Sequence, residues 1–186
     1  NAASGIETEE VKRYYDVRIP KSVSNGTTTP RDIKNLDEAK IVIYALSEMV
    51  ATRLRGYNLV ANGIGLSIKN PDLKWVNKQI PVSPATASSS SIAQSAIELL
   101  KQMHKFGTPL RAITVAAIRL EDKNCVQASL FDESENKNDK LEKSIDAIRN
   151  KYGYNAVQRG LMLDNDLTGN LHTDDDFRPF HQSKTT

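Results

Sequence analysis

The hydrophobic residues of this chain change their spacing several times, and the order of those changes restricts the fold. Between residues 35 and 56 they recur at helical intervals, as Ile43, Leu46, Val50 and Leu54. Residues 64–68 then alternate large apolar with small side chains, which is typical of a strand with one buried face. A second helical pattern covers residues 92–103, and an apolar run over 110–120 predicts a central strand.

Two further segments complete the order of elements. A Ser/Thr-rich stretch from Lys21 to Arg31 favours a first strand, because threonine is common in strands. Asn70-Pro71-Asp72 predicts a turn, after which residues 73–80 form the second arm of a hairpin. The order strand, helix, strand, strand, helix, strand predicts an α+β fold. We expect a two-layer βαββαβ ferredoxin-like sandwich with both helices on one face of the sheet.

The chain divides into three parts. Residues 1–20 are polar and begin without methionine, and we expect a processed end followed by a linker. Residues 21–163 form the expected domain, which finishes with a third helix and a short strand over 156–163. The third helix is marked by Leu141, Ile145, Ile148 and Tyr152. Residues 164–186 are polar, and we expect a disordered tail.

Composition indicates a soluble, cytoplasmic protein. Hydrophobic residues make up 39% and charged residues 26% of the 186, as in ordinary globular domains. No apolar run reaches the ~18 residues of a membrane span, and no leader pattern indicates secretion. The single cysteine, Cys125, cannot form an internal disulfide, which fits a reducing compartment.

Charge is distributed unevenly, although the formal net charge is only +2. Residues 18–119 contain 14 Lys and Arg against 6 Asp and Glu, whereas residues 120–186 contain 9 against 13. A basic stretch followed by an acidic one favours a polyanionic partner. A generic basic surface explains the same counts about equally well.

One face of a two-layer sandwich stays open, and polar side chains of the predicted strands are candidates to line it. These candidates are Lys21, Ser22, Ser24, Asn25, Thr28, Arg31, Lys69, Lys74, Lys78, Arg111 and Arg119. Hydroxyl groups and basic side chains grip nucleic-acid phosphates without reading the base sequence. The alternative is a solvated face whose serines and threonines serve strand propensity. The strand register decides which candidates share a face, because a slip of one residue reverses the faces.

No catalytic or metal-binding cluster is evident in the sequence. The histidines and Cys125 lack metal-ligand spacing, and no pair of aspartates lies at predicted strand ends. Trp75 is expected to pack in the core beneath the hairpin, with stacking on a base as the alternative. We therefore expect a binding module rather than a self-contained enzyme.

A short peptide, Gln127-Ala128-Ser129-Leu130-Phe131, follows the last predicted strand. It has the form of the peptides by which bacterial DNA polymerases dock on the sliding clamp. In such a peptide the glutamine amide can donate and accept hydrogen bonds at a pocket mouth, and a turn brings both apolar side chains into the pocket. The alternative is a chance match in which Leu130 and Phe131 cap a core.

Three segments carry a family resemblance. They are Lys21-Ser22-Val23-Ser24-Asn25-Gly26-Thr27-Thr28-Thr29-Pro30-Arg31-Asp32, Ala51-Thr52-Arg53-Leu54-Arg55 and Asp72-Leu73-Lys74-Trp75. Together they resemble the little finger domain of Y-family translesion DNA polymerases. The resemblance covers residues 20–163, and residues 3–19 are similar to the linker that leaves the thumb domain. The peptide at 127–131 resembles that of bacterial members whose clamp-binding peptide lies inside the chain.

This resemblance implies that the open sheet lies in the major groove of DNA and contacts the backbones of template and primer. By position, the contacting residues would be Lys21, Ser22, Asn25, Thr28 and Arg31, with Lys74 and Lys78 from the hairpin. Asn25 and Gly26 depart from the family pattern, which often has a basic or bulky residue there. Ala128 replaces a common leucine, which should lower the affinity for the clamp.

The resemblance also implies a larger protein. In this family the metal-binding carboxylates of nucleotidyl transfer lie in a palm domain, so this fragment alone should hold no cofactor and catalyse nothing. The parent DNA polymerase would use Mg²⁺ and act in lesion bypass, DNA repair and the SOS response. The expected partners are primer–template DNA, the bacterial sliding clamp and the palm, fingers and thumb. The alternative is a free-standing ferredoxin-like regulator that binds nucleic acid or a ligand.

Overall fold

The computed structural model describes residues 20–125, 133–163, 165–168 and 171. Its main elements are β1 (Ser22–Ile33), α1 (Leu36–Gly56), β2 (Leu59–Lys69), β3 (Trp75–Thr86), α2 (Ser89–Met103), β4 (Leu110–Asp122) and α3 (Glu133–Tyr152). Short 3₁₀ turns occupy Lys123–Cys125, Tyr154–Ala156 and Gly160–Met162. The predicted order of elements is confirmed. The strand expected over 156–163 is wrong, because this stretch contains the end of one 3₁₀ turn, irregular backbone and the turn Gly160–Met162.

The four strands form one antiparallel sheet in the order β1-β4-β2-β3. Because β1 and β2 each run antiparallel to β4, they are parallel to each other with β4 between them. This is a split βαβ arrangement, in which α1 connects the two separated strands. The predicted α+β sandwich is confirmed, with α1 and α2 packed together on the sheet.

The hydrophobic core lies between the sheet and these two helices. Ile64, Leu66 and Ile68 of β2 point into it, and Leu46 of α1 and Leu99 of α2 are fully buried against them. Burying one large apolar side chain contributes roughly 1.5–3 kcal/mol, so this layer is the main source of stability.

The start of α1 agrees with the sequence pattern. The Asn35 side chain accepts a hydrogen bond from the Glu38 backbone N–H at 2.9 Å. The Glu38 carboxylate accepts one from the Lys34 backbone N–H at 2.7 Å. This reciprocal pairing satisfies a backbone amide on each side of the helix start, as in a capping box.

α3 contacts the sandwich mainly through charged side chains. Its expected apolar stripe is largely exposed, with Leu141 at 59% and Tyr152 at 67% exposure, whereas Glu142 and Arg149 are buried. The Glu142 carboxylate accepts a hydrogen bond from the Ser89 backbone N–H at 2.9 Å, at the start of α2. A negative charge is favourable there because the first amides of a helix carry partial positive charge.

Two clusters of ion pairs attach α3 to α1. Arg55 of α1 pairs with Glu142 and, at 2.6 Å, with Asp146. Glu48 of α1 pairs with Arg149 at 2.8 Å. Burial by itself lowers the pKa of the Arg55 guanidinium, but Asp146 and Glu142 outweigh that effect and leave the pKa raised. The pairs therefore offset the cost of holding the Arg55 charge in a largely buried position.

The folded unit extends past residue 163. Leu167 belongs to the core cluster, and Asp166 pairs with Arg31 at 2.6 Å. Residues 1–19 of the expected segment 1–20, and residues 172–186, lie outside the described residues. Within the described part of the chain, no helix has the length and hydropathy needed to cross a bilayer.

Candidate nucleic-acid interface

The strand register divides the sheet into a helix-covered face and an open face. Residues directly opposite each other on neighbouring strands share a side, and the side alternates along each strand. Ile64 points into the core, so the odd-numbered residues from 63 to 69 lie on the open face. The register then places sixteen residues on that face: Gly63, Gly65, Ser67, Lys69, Ala112, Thr114, Ala116, Ile118, Ser22, Ser24, Gly26, Thr28, Trp75, Asn77, Gln79 and Pro81.

None of these sixteen residues is acidic, and the centre of the face is built from small side chains. Gly63, Gly65, Ala112 and Ala116 leave the backbones of the two central strands close to the surface. Hydroxyl and amide side chains lie around them, and Lys69 supplies a positive charge. A polyanion can therefore approach the sheet closely without meeting a carboxylate.

Several residues predicted to contact DNA do lie on this open face. They are Ser22, Ser24 and Thr28 on β1 and Lys69 on β2. Two more predicted residues, Lys21 and Lys74, are exposed and immediately precede β1 and β3. Four of these six residues thus lie on or immediately before β1, and the other two lie at the end of β2 and immediately before β3.

Asn25 and Lys78 lie on the helix-covered face, which corrects the expectation that they line the open one. The Asn25 side-chain amide lies 3.0 Å from the Met49 sulfur of α1. The Lys78 ammonium donates a hydrogen bond to the Gln102 side chain of α2 at 2.7 Å. The register explains this placement, because Lys78 is directly opposite the core residue Leu66.

The three predicted arginines are all exposed, but their surroundings differ. Arg31 donates hydrogen bonds to Asp166 at 2.6 Å and to Glu38 at 3.0 Å, and these bonds raise the pKa of its guanidinium. Arg111 lies near the start of β4. Arg119 has a φ of 53°, a left-handed conformation that is uncommon for a residue with a long side chain. Arg31 would have to exchange a carboxylate for a phosphate in order to bind DNA.

Trp75 lies on the open face, so the expectation of a core position beneath the hairpin is wrong. Its side chain is 51% exposed, and the Lys69 ammonium lies 5.5 Å from the centre of its ring. Asn77 and Gln79 follow it at alternate positions and are exposed too. Sequence reasoning missed these two amides, although the strand alternation identifies them once the face of Trp75 is known.

The peptide from Gln127 to Phe131 lies outside the described residues, but both of its flanks are described. Lys123 before it pairs with Asp139 after it at 2.8 Å. Burial by itself raises the pKa of Asp139, but Lys123 and Lys143 outweigh that effect and lower it. This ion pair joins the two ends of the segment that carries the peptide.

Comparison with known proteins assigns the chain to a family. Residues 20–130 match the impB/mucB/samB family C-terminal domain. This chain belongs to that family. The resemblance inferred from residues 21–32, 51–55 and 72–75 is thereby confirmed at the level of the family.

Curated relatives of this chain include DNA polymerases IV. That of Acetivibrio thermocellus is 37% identical over 165 residues, covering 87% of this chain and 41% of the relative. That of Clostridium acetobutylicum is 30% identical, covering 87% and 40%. DNA polymerase IV 1 of Mesorhizobium japonicum is 32% identical, covering 82% and 35%. The chain thus spans about two fifths of the length of the first of these relatives.

A solved structure that the fold matches is a "Complex of beta-clamp processivity factor and little finger domain of PolIV". The match has a TM-score of 0.46 and 17% identity, and it covers 59% of this chain and 98% of that one.

Proposed function

We propose that the open sheet face binds the sugar–phosphate backbone of DNA without reading its sequence. The composition of that face carries the proposal, since its sixteen residues include hydroxyls, amides and Lys69 but no carboxylate. Phosphate oxygens accept hydrogen bonds and carry negative charge, so hydroxyl, amide and ammonium donors suit them. The relatives that are DNA polymerases IV support the same partner.

Binding of this kind should weaken steeply as salt rises. Each phosphate that a cation neutralises releases counterions and contributes about −0.9 to the slope of log K against log salt concentration. Of the predicted cations, the register places Lys69 on the open face, and Lys21 and Lys74 are exposed immediately before β1 and β3. Together these three would give a slope of up to about −2.7.

A salt titration of duplex binding, followed by fluorescence anisotropy, tests this proposal. Lys69→Ala should weaken binding to every sequence and make the slope shallower by about one unit. Lys101→Ala is the matched control, because Lys101 is exposed on α2, on the covered side of the sheet. Equal effects of the two substitutions, or binding that does not respond to salt, would contradict a phosphate-binding open face.

The peptide from Gln127 to Phe131 is the proposed docking site for the bacterial sliding clamp. Burying Leu130 and Phe131 in a cleft would contribute roughly 1.5–3 kcal/mol each before ordering costs. The two side chains would thus supply about 3–6 kcal/mol of the roughly 8 kcal/mol that an affinity of about 1 µM requires, and the hydrogen bonds of Gln127 would have to contribute to the remainder. The printed name of the matched solved complex pairs a little finger domain with a clamp, in agreement with this partner.

Mixing the chain with a bacterial clamp in a calorimeter tests the docking site. Gln127→Ala and the double variant Leu130→Ala/Phe131→Ala should each weaken binding strongly. Ala128→Leu should strengthen it, because it restores a side chain that similar peptides carry. Unchanged affinity in all three variants would exclude this peptide as the docking site.

The whole protein is proposed to be a template-directed DNA polymerase of low fidelity that bypasses lesions in the cytoplasm as part of DNA repair. The relatives extend well beyond this chain, and the acidic residues that bind Mg²⁺ for nucleotidyl transfer would lie in that additional length. Sequencing the reading frame upstream of Asn1 checks this, since a palm segment with paired carboxylates should precede it. A free-standing regulator of the same fold would have no such segment.

A further inference from the structure

We infer that Trp75 is a stacking platform for an unpaired nucleobase where a DNA strand leaves the duplex. This inference rests on the proposed function of the open face, and it adds a contact to a base rather than to the backbone. Trp75 is the sole tryptophan of the chain. It is also about half exposed, although tryptophan is usually well buried.

Trp75 lies at a position where its aromatic ring is accessible to a ligand. It is the first residue of the edge strand β3 and lies directly opposite Lys69 on the acid-free face. Trp75 is 51% exposed, so part of its indole is open to a flat partner. A tryptophan that served the core would point to the other face, with Ile80.

The turn before Trp75 is held by hydrogen bonds, so the ring is presented by a fixed backbone. The Lys74 backbone N–H donates to the Asn70 side-chain oxygen at 2.9 Å. The Asn70 N–H donates to the Lys74 carbonyl at 3.1 Å, and the Leu73 N–H donates to the Asn70 carbonyl at 3.0 Å. A platform that is ordered before binding loses little conformational freedom when a ligand arrives.

Charge selects a nucleotide rather than a neutral apolar partner. The Lys69 ammonium lies 5.5 Å from the ring centre, and Lys74 precedes Trp75 in the chain. An aromatic face beside ammonium groups matches a base joined to its phosphate, and such stacking tolerates any base. The bases inside a duplex are already stacked on each other, so away from the duplex ends the indole can receive only an unpaired base.

The intrinsic fluorescence of Trp75 reports on stacking directly, because no other tryptophan contributes. We expect quenching by an oligothymidine and by a duplex with a single-stranded extension, and none by the blunt form of that duplex. Trp75→Ala should weaken binding of the extended duplex roughly ten-fold and leave the blunt duplex within about two-fold. Trp75→Phe should recover most of the affinity.

Val76→Ala is the matched control, because Val76 is exposed to a similar degree but lies on the opposite side of β3. It should leave both affinities and the quenching unchanged. If anisotropy detects duplex binding but the extension adds neither affinity nor quenching, the stacking inference is overturned and the backbone-binding proposal stands. If no DNA binds in anisotropy, the backbone-binding proposal itself fails.

Discussion

Arg149 of α3 donates a hydrogen bond to Glu48 of α1 at 2.8 Å, with 8% and 6% of their side chains exposed. The same carboxylate accepts hydrogen bonds from Arg159 at 2.6 Å and from the Tyr154 hydroxyl at 2.9 Å. Three donors from outside the sandwich thus converge on one acidic residue of α1. Glu48 therefore joins α1 to three separate positions of the attached segment.

Replacing Glu48 by alanine should lower the free energy of unfolding by about 3–5 kcal/mol, because Arg149 would stay buried without its carboxylate. The double variant Glu48→Leu/Arg149→Met should lose less than Glu48→Ala alone, since neither residue then buries a charge. Urea unfolding measures both. Lys40→Ala is the control, because the pair that Lys40 forms with Asp37 is at the surface. This substitution should change the free energy of unfolding by about 0.5 kcal/mol.

Tyr154 should make stability depend on alkaline pH. Burial, followed by the charge of Glu48 and the hydrogen bond to it, raises the pKa of its hydroxyl above the ordinary value. An unfolded tyrosine ionises near pH ~10. The contribution of Tyr154 to the free energy of unfolding is therefore complete below that pH and is lost as the pH rises toward the folded pKa. The difference in melting temperature between the native chain and Tyr154→Phe should shrink above that pH. A difference that stays constant would contradict this assignment.

Gly26 cannot be enlarged while Thr114 stands opposite it. A Cβ on Gly26 would lie 2.1 Å from the Thr114 hydroxyl oxygen and 2.9 Å from its Cβ. Gly26→Ala should therefore lower the free energy of unfolding by about 1–3 kcal/mol.

The loss caused by Gly26→Ala should be smaller when it is measured in a Thr114→Gly background. Gly65→Ala serves as the control, because its nearest neighbour would be at an ordinary 3.7 Å. Equal losses at positions 26 and 65 would show that the sheet relaxes around the clash.

Asp166 should compete with DNA for Arg31, since the carboxylate already accepts two hydrogen bonds from that guanidinium, at 2.6 and 3.0 Å. Asp166→Asn should raise DNA affinity at low salt and make the slope of log K against log salt steeper by about one unit. Anisotropy titrations at several salt concentrations check this. Glu98→Gln removes the same charge at an exposed position of α2, on the covered side of the sheet, so an equal gain there would indicate a general charge effect.

The sequence predicted what its local patterns determine, namely the order of elements, the start of α1 at Asn35 and the core face of β2. It could not predict relationships set by partners distant in the chain. Lys78 and Trp75 were assigned to the wrong faces, because only pairing with β2 decides which side of β3 faces the helices. The helical spacing of Leu141 and Tyr152 did predict a helix. Which side of it packs depends on Arg55 and Glu48, which lie about ninety residues away.

The ion pair between Lys123 and Asp139 would affect how tightly a partner can bind the segment between these two residues. It joins the chain just after β4 to the second turn of α3, so the two flanks of the segment between them are held close together. A recognition segment restrained at both ends has fewer conformations to lose than a loose terminus, which reduces the entropic cost of capture. Attachment at both ends would also restrict the orientation of the sheet relative to the proposed partner of the segment.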